Sequence, residues 1–215
     1  MKKQILIAAI LLALGLGTAA AQTATPPKFW VLATAGTRSS GSFKIESEEV
    51  AYNTIEFSNG FTYGLSFGYR LSPTLAFEAM WSRLDMAVAG TASGDPPVEE
   101  SLFDAYEDQL LVNLLLSTGY TIGAARPYFL FGAGVTSVNP QADVPGITHF
   151  AWNLGFGIEA MLKGQLGLRA QGKFTPTYIN TTDEILQEWN GGAETTAIRN
   201  TMTQWEFQAG LFFRF

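Results

Sequence analysis

The stretch Phe61-Thr62-Tyr63-Gly64-Leu65-Ser66-Phe67-Gly68-Tyr69-Arg70 decides the fold. Its odd positions are all large and apolar or aromatic, while its even positions are Thr, Gly, Ser, Gly and Arg. Alternation sustained over a whole segment predicts a strand with two different faces, because successive side chains of extended backbone point to opposite sides. The pattern recurs over residues 28–38, 75–85, 108–120, 127–138, 147–162, 166–178 and 203–215, and the two faces differ least in 28–38. Segment 147–162 sets Phe150, Trp152, Leu154, Phe156, Ile158 and Leu162 against Asn153, Gly155, Gly157 and Glu159. The last segment sets Trp205, Phe207, Leu211, Phe213 and Phe215 against Gln204, Glu206, Gln208, Gly210 and Arg214.

The connections alternate in length. Short ones at Leu71–Thr74, Thr121–Arg126 and Lys163–Gln165 carry the turn residues Pro73, Gly123 and Gly164. Longer ones fall at about residues 39–57, 86–107, 139–146 and 179–202. Eight strands joined this way predict an all-β, antiparallel, up-and-down barrel with both termini at the short-turn end.

Which face points inward decides the class. Period two alone also fits a soluble lipocalin-like barrel, whose outer face would be rich in Lys, Glu and Thr. Here the less apolar face is built on Gly64, Gly68, Gly132, Gly134, Gly155, Gly157, Gly167 and Gly210, with a few charges among them. Small residues suit a crowded interior. The other face carries Leu, Phe, Trp, Tyr, Val and Ala, with Tyr69, Tyr120, Trp152, Tyr178, Trp205 and Phe215 toward the strand ends, as an interfacial girdle requires. The strand lengths match a tilted bilayer crossing, and closure is what lets a sheet survive in lipid. A transmembrane barrel is therefore expected, with short periplasmic turns and long extracellular loops.

Composition agrees. The 215 residues are 47% hydrophobic and 13% aromatic but only 15% charged, with 22 Gly and no Cys. That excludes a disulfide framework, a Cys-ligated metal and a thiol nucleophile, and a single histidine, His149, offers little for a metal site. At the start, Met1-Lys2-Lys3, an apolar run from Ile5 to Leu16 and Ala19-Ala20-Ala21 have the form of a cleaved secretory signal peptide over residues 1–21. Residues 22–215 then form one barrel domain, and loss of Lys2 and Lys3 deepens the formal charge from −6 to −8. Such acidity disfavours nucleic acid as a partner.

The chain resembles the small outer-membrane barrels of Gram-negative bacteria, the OmpA/OmpX-like family. Phe67-Gly68-Tyr69-Arg70-Leu71-Ser72-Pro73 through Phe77-Glu78 resembles that family's second hairpin, with a glutamate pointing into the lumen. Phe156-Gly157-Ile158-Glu159, a tight turn and Leu168-Arg169-Ala170 resemble its sixth and seventh strands. The end, Gln208-x-Gly210-x-x-Phe213-x-Phe215, is similar to the C-terminal signal read by the β-barrel assembly machinery. The resemblance implies an outer-membrane location, lipid and lipopolysaccharide as surroundings, and a monomer. With the barrel running to Phe215, the peptidoglycan-binding domain of longer members is not expected in this chain.

Glu78, Glu159 and Glu206 fall on the inward face, with Arg169, Lys173 and Arg70 as candidate partners and Gln171 and Asn113 as further interior polar residues. If Leu162 faces Leu166 across the tight turn, Glu159 faces Arg169. Such a set is either a gate or a satisfied network plugging a lumen that, with eight strands, has room only for side chains; the plug is favoured. Of 19 acidic residues, 15 fall in loops or at their feet, including Glu46, Glu99, Glu100, Asp143, Asp183 and Glu194, with Glu107 and Asp108 at the foot of the second loop. They suit a cationic or protein ligand at the surface, or simple solvation.

Enzymatic readings are weaker. In Thr148-His149-Phe150-Ala151 no Ser follows at the spacing of a lipid A deacylase, and no acid is placed to orient the imidazole. No catalytic residue, cofactor or metal is assigned. The expected function is structural or surface-interacting, with a narrow solute channel or a lipid A-modifying enzyme as the alternatives.

Overall fold

The computed structural model describes residues 28–39, 41–44, 54–92, 98–141, 146–180 and 199–215. Ten strands follow one another: β1 (Phe29–Ser39), β2 (Ser42–Lys44), β3 (Thr54–Phe57), β4 (Gly60–Arg70), β5 (Leu75–Ala92), β6 (Val98–Ser117), β7 (Ala125–Pro140), β8 (Ile147–Lys163), β9 (Leu166–Asn180) and β10 (Arg199–Arg214). Every pairing is antiparallel.

The ten strands make an eight-stranded barrel because two of the eight are interrupted. Arg38 faces Gly60 and Ser42 faces Glu56 in one continuous register, so β2 extends β1. Likewise β3 extends β4 along β5, with a one-residue offset at Ser58–Asn59. Closure runs through β1–β10 and β5–β6. One row of partners, Trp205, Phe174, Leu154, Phe131, Leu114, Phe77, Tyr69, Phe29, Phe215, circles the barrel and returns to the last strand ten residues further on. A stagger of that size over eight strands corresponds to a tilt of about 40° and an interior just filled by side chains. The row is apolar or aromatic throughout and faces outward.

The outward face of the short-turn half is apolar: Val112, Phe131 and Phe156 are 59%, 55% and 63% exposed. The inward face holds the small and polar residues. Gly68 lies under the Trp30 indole, where an added Cβ would come within 1.9 Å of the ring. Gly164 closes the β8–β9 turn in the left-handed region (φ 59°), and Gly123 does the same in the β6–β7 turn (φ 63°).

Several sequence expectations need correction. Strands β5 and β6 have 18 and 20 residues, about twice a membrane crossing, so most of the expected loop at 86–107 is strand. Residues 42–44, 54–57, 139–140 and 199–202 are strand as well. Strand β6 stops at Ser117, which leaves Tyr120 in the turn and highly exposed. A bulge at Met161–Lys163 sets Lys163, not Leu162, opposite Leu166, while the register above it keeps Glu159 opposite Arg169. The expected signal peptide, residues 1–21, lies outside the described residues, as do the loop acids Glu46, Glu48, Glu49, Asp95, Asp143, Asp183, Glu184, Glu188 and Glu194.

Above Ser82 the strands reverse polarity. On β5, outward Phe77, Ala79 and Trp81 give way to Arg83, Asp85 and Ala87, while inward Glu78, Met80 and Ser82 give way to Leu84, Met86 and Val88. The inward residues of this far half pack into one apolar cluster of Phe57, Leu84, Met86, Val88, Ala105, Val138, Ile147, Ile179 and Met202. A second cluster, Trp30, Leu32, Ala76, Leu115, Tyr128, Leu130 and Phe212, fills the interior near the short turns.

Candidate functional site

Among the described residues, two ion clusters occupy the interior. The lower one centres on Arg169 of β9. Its Nη1 donates to Glu78 Oε2 of β5, which also accepts from Trp30 Nε1 at 3.1 Å, and its Nη2 lies 3.3 Å from Glu159 Oε2 of β8. Glu159 Oε1 takes two further cations, Arg214 at 2.8 Å and Arg70 at 3.1 Å. The guanidinium of Arg169 sits 5.2–5.7 Å from the Trp30, Tyr128 and Phe212 ring centres, so an aromatic collar surrounds the buried charge.

The upper cluster centres on Arg38 at the top of β1. Its Nη1 lies 2.7 Å from Glu107 Oε1, and Nε and Nη2 both reach Glu206 Oε2, at 3.1 and 2.9 Å. Lys173 Nζ takes the same Glu206 oxygen at 2.7 Å and donates to Gln109 Oε1 at 3.1 Å. Gln204 Nε2 donates to Glu107 Oε2 at 2.6 Å and its Oε1 accepts from Gln109 at 2.7 Å. Two cations thus meet two carboxylates, all almost fully buried, which is the arrangement a low-dielectric interior demands. On one wall the clusters are joined by side chains: Gln208 donates to Glu206, Gln171 to Gln208 at 3.0 Å, and Tyr128 Oη to Gln171 at 2.7 Å.

Every interior residue singled out from the sequence points inward, and Arg70 alone among them is only partly buried. Asn113 accepts from Asn153 Nδ2 at 2.9 Å. Sequence reasoning missed Arg38, Glu107 and Gln109, and placed Gln204 and Arg214 on the inward face without assigning them partners. Glu107 is not a loop foot but a fully buried partner of Arg38. Asp108, its neighbour, points outward and clamps Arg83 through Oδ2 at 2.6 Å and Oδ1 at 2.8 Å, with Trp81 Nε1 donating to Oδ1 at 3.0 Å. The parity of β6 fixed both orientations: 107 shares the face of Gln109 and Asn113, and 108 that of Leu110.

The four residues of the terminal motif divide by the same rule. Gln208 and Gly210 face the lumen. Phe213 faces out, and Phe215 exchanges two backbone hydrogen bonds with Phe29 (3.1 and 2.9 Å) and packs near the Phe29 and Phe67 rings. Around the outside, Trp81, Tyr106 and the Trp152–Tyr178 pair (Nε1 to Oη, 3.3 Å) sit where apolar residues end and charge begins. Among the described residues no group of three His, Asp or Glu side chains is placed to hold a metal, and no helix is long and apolar enough to cross a membrane. The crossing is made by strands.

A sequence model for the outer membrane protein beta-barrel domain matches residues 9–215. The chain belongs to the outer membrane protein beta-barrel domain family. Solved structures with the same fold include the Neisserial surface protein A (14% identity, 87% of this chain and 97% of that one, TM-score 0.55). Another is the outer membrane protein OprG from Pseudomonas aeruginosa (13% identity, 88% and 97%, TM-score 0.56). A third is the outer membrane protein AlkL, solved by solid-state NMR in lipid bilayers (13% identity, 91% and 94%, TM-score 0.50). No curated protein matches the chain in sequence. As a member of this family the protein resides in the bacterial outer membrane, and its apolar outer band faces lipid. The short turns are then periplasmic, and the far half of the barrel, with its apolar filling, stands on the extracellular side.

Proposed function

We propose that this member of the family is a non-enzymatic barrel with a closed lumen, acting in envelope integrity or in surface interaction through acidic extracellular loops. The carrying observation is the filled interior. At the periplasmic end the lower ion cluster is set within the aromatic and aliphatic cluster, and the upper ion cluster and the second apolar cluster follow above it. In this reading Glu78, Glu159, Arg169, Gln171, Lys173, Glu206, Arg70 and Asn113 are structural, joined by Arg38 and Glu107. The β5–β6 extension carries Asp85 and Asp104 on its outward face above Trp81.

The remaining assignments belong to the same proposal. Residues 1–21 are removed on export. Gln208, Gly210, Phe213 and Phe215 are read by the assembly machinery, and the mature chain is a monomer among outer-membrane lipid and lipopolysaccharide, with no cofactor and no nucleic-acid partner.

Planar-bilayer recording of the purified chain tests the closed lumen. The expected result is a silent membrane; discrete conductance steps would replace this reading with a narrow solute channel. A changed lipid A mass on expression would replace it with the enzyme.

A further inference from the structure

A row of inward residues running from β5 to β9 leaves four buried polar atoms without a protein partner: Glu78 Oε1, Asn113 Nδ2, Asn153 Oδ1 and Thr175 Oγ1. All four residues are at most 1% exposed. Orphaned groups this deep are rare in folded proteins, since each forfeits its hydration.

Their order along the wall is informative. Glu78 and Asn113 are direct register partners on β5 and β6. Asn113 and Asn153 flank Gly132 on β7 and bond to each other over it, where an added Cβ would meet both amide oxygens at 2.1 and 2.7 Å. Thr175 follows on β9, between the Ala151–Thr177 and Leu154–Phe174 pairs, and is itself the partner of Gln204. The orphans therefore form two neighbouring sets, an acceptor beside a donor (Glu78 and Asn113) and an acceptor beside a hydroxyl (Asn153 and Thr175). Neither set is closed by a direct bond, because the mutual bond of the two asparagines holds their amides over Gly132. A molecule with two donors and two acceptors would satisfy both members of each set.

We infer that two trapped water molecules complete this wall, one between Glu78 and Asn113 and one between Asn153 and Thr175. The result is a relay, Glu78, water, Asn113, Asn153, water, Thr175, that starts at the Arg169 cluster and ends beside Gln204, the register partner of Thr175. Buried waters take about two to four hydrogen bonds to otherwise unsatisfied polar groups, and each set offers two. The apolar clusters above and below isolate the sites from bulk solvent. Water satisfies the set better than a cation, because Asn113 Nδ2 is a donor and Glu78 already carries Arg169.

NMR of the full chain in lipid nanodiscs tests this through magnetisation transfer from water to the side-chain amides of Asn113 and Asn153. The inference expects cross peaks from long-lived water at both amides. Thr175→Val, nearly isosteric, should abolish the Asn153 peak and leave the Asn113 peak, with heat-modifiable migration on gels confirming that the variant folds. Absence of water peaks at both amides in the wild type would overturn the inference, as would peaks indifferent to Thr175→Val. Amide shifts that move when sodium replaces choline at constant ionic strength would assign the sites to a cation and overturn it equally.

Discussion

The two halves of this barrel solve opposite problems with the same strands. In the periplasmic half the outside meets lipid, so the outward positions Phe77, Val112, Phe131 and Phe156 are apolar and the ionisable groups are confined to the interior. In the extracellular half the outside meets water, so Arg83, Asp85 and Asp104 turn outward and Leu84, Met86 and Val88 fill the centre. The half in lipid is inverted; the half above it is patterned like a soluble barrel. The difference shows that a strand's alternation reports on its surroundings as well as on its geometry: period two persists through Ser82, but its phase relative to polarity flips there.

The largest expected effects come from the interior of the inverted half. Arg38→Ala would strand Glu107 in a dry lumen and leave Glu206 with Lys173 alone, and Arg169→Ala would strand Glu78; each should cost about 3–5 kcal/mol. Equilibrium unfolding in lipid vesicles reads the loss. Adding Glu78→Gln to Arg169→Ala should recover part of it, more than adding Glu159→Ala, because Glu159 keeps Arg70 and Arg214. No recovery from either would break the ion-pair account.

Next in size is the apolar filling of the other half. Leu84→Ala, at a fully buried position, should cost about 2–5 kcal/mol by opening a cavity, measured in the same titration. Then comes the lipid-facing wall: Val112→Arg places a charge deep in the apolar band and should cost about 2–4 kcal/mol. Its counterpart above the belt, Ala87→Arg, lies opposite Asp104 and should change stability by no more than about 0.5 kcal/mol. If the two arginine substitutions cost the same, the two halves do not differ in their surroundings.

Much of the periplasmic half was legible in the sequence. The strands, the tight β8–β9 turn and the outward aromatic face all follow from alternation and turn chemistry, and Glu159 faces Arg169 as expected, though only because a bulge offsets the Lys163–Leu166 pairing at the turn. The far half was misread for a physical reason. Where inward residues change from Glu78 and Ser82 to Leu84 and Met86, a search for apolar-outward strands stops, and the remainder reads as loop. Glu107 was consequently assigned to a loop although its parity with Gln109 and Asn113 points it inward. Arg38 was missed because the faces of β1 differ little, and because its partners Glu107 and Glu206 lie 69 and 168 residues away. No local pattern announces such a contact. The bulge at Met161–Lys163 left no sequence signal either, and only the register revealed it.

The reversal of surroundings along β5 and β6 can be measured position by position, since the chain has no native cysteine to compete with an engineered one. Single spin labels at the outward positions 77, 79, 110, 112 and 114, and at 85, 87, 104 and 106, would be scanned for collision with oxygen and with a water-soluble nickel chelate in lipid bilayers. Oxygen-dominated collision is expected in the first group, nickel-dominated collision in the second, and a crossover at the level of Trp81 and Asp108. Uniform oxygen accessibility along the whole of both strands would contradict the reversal.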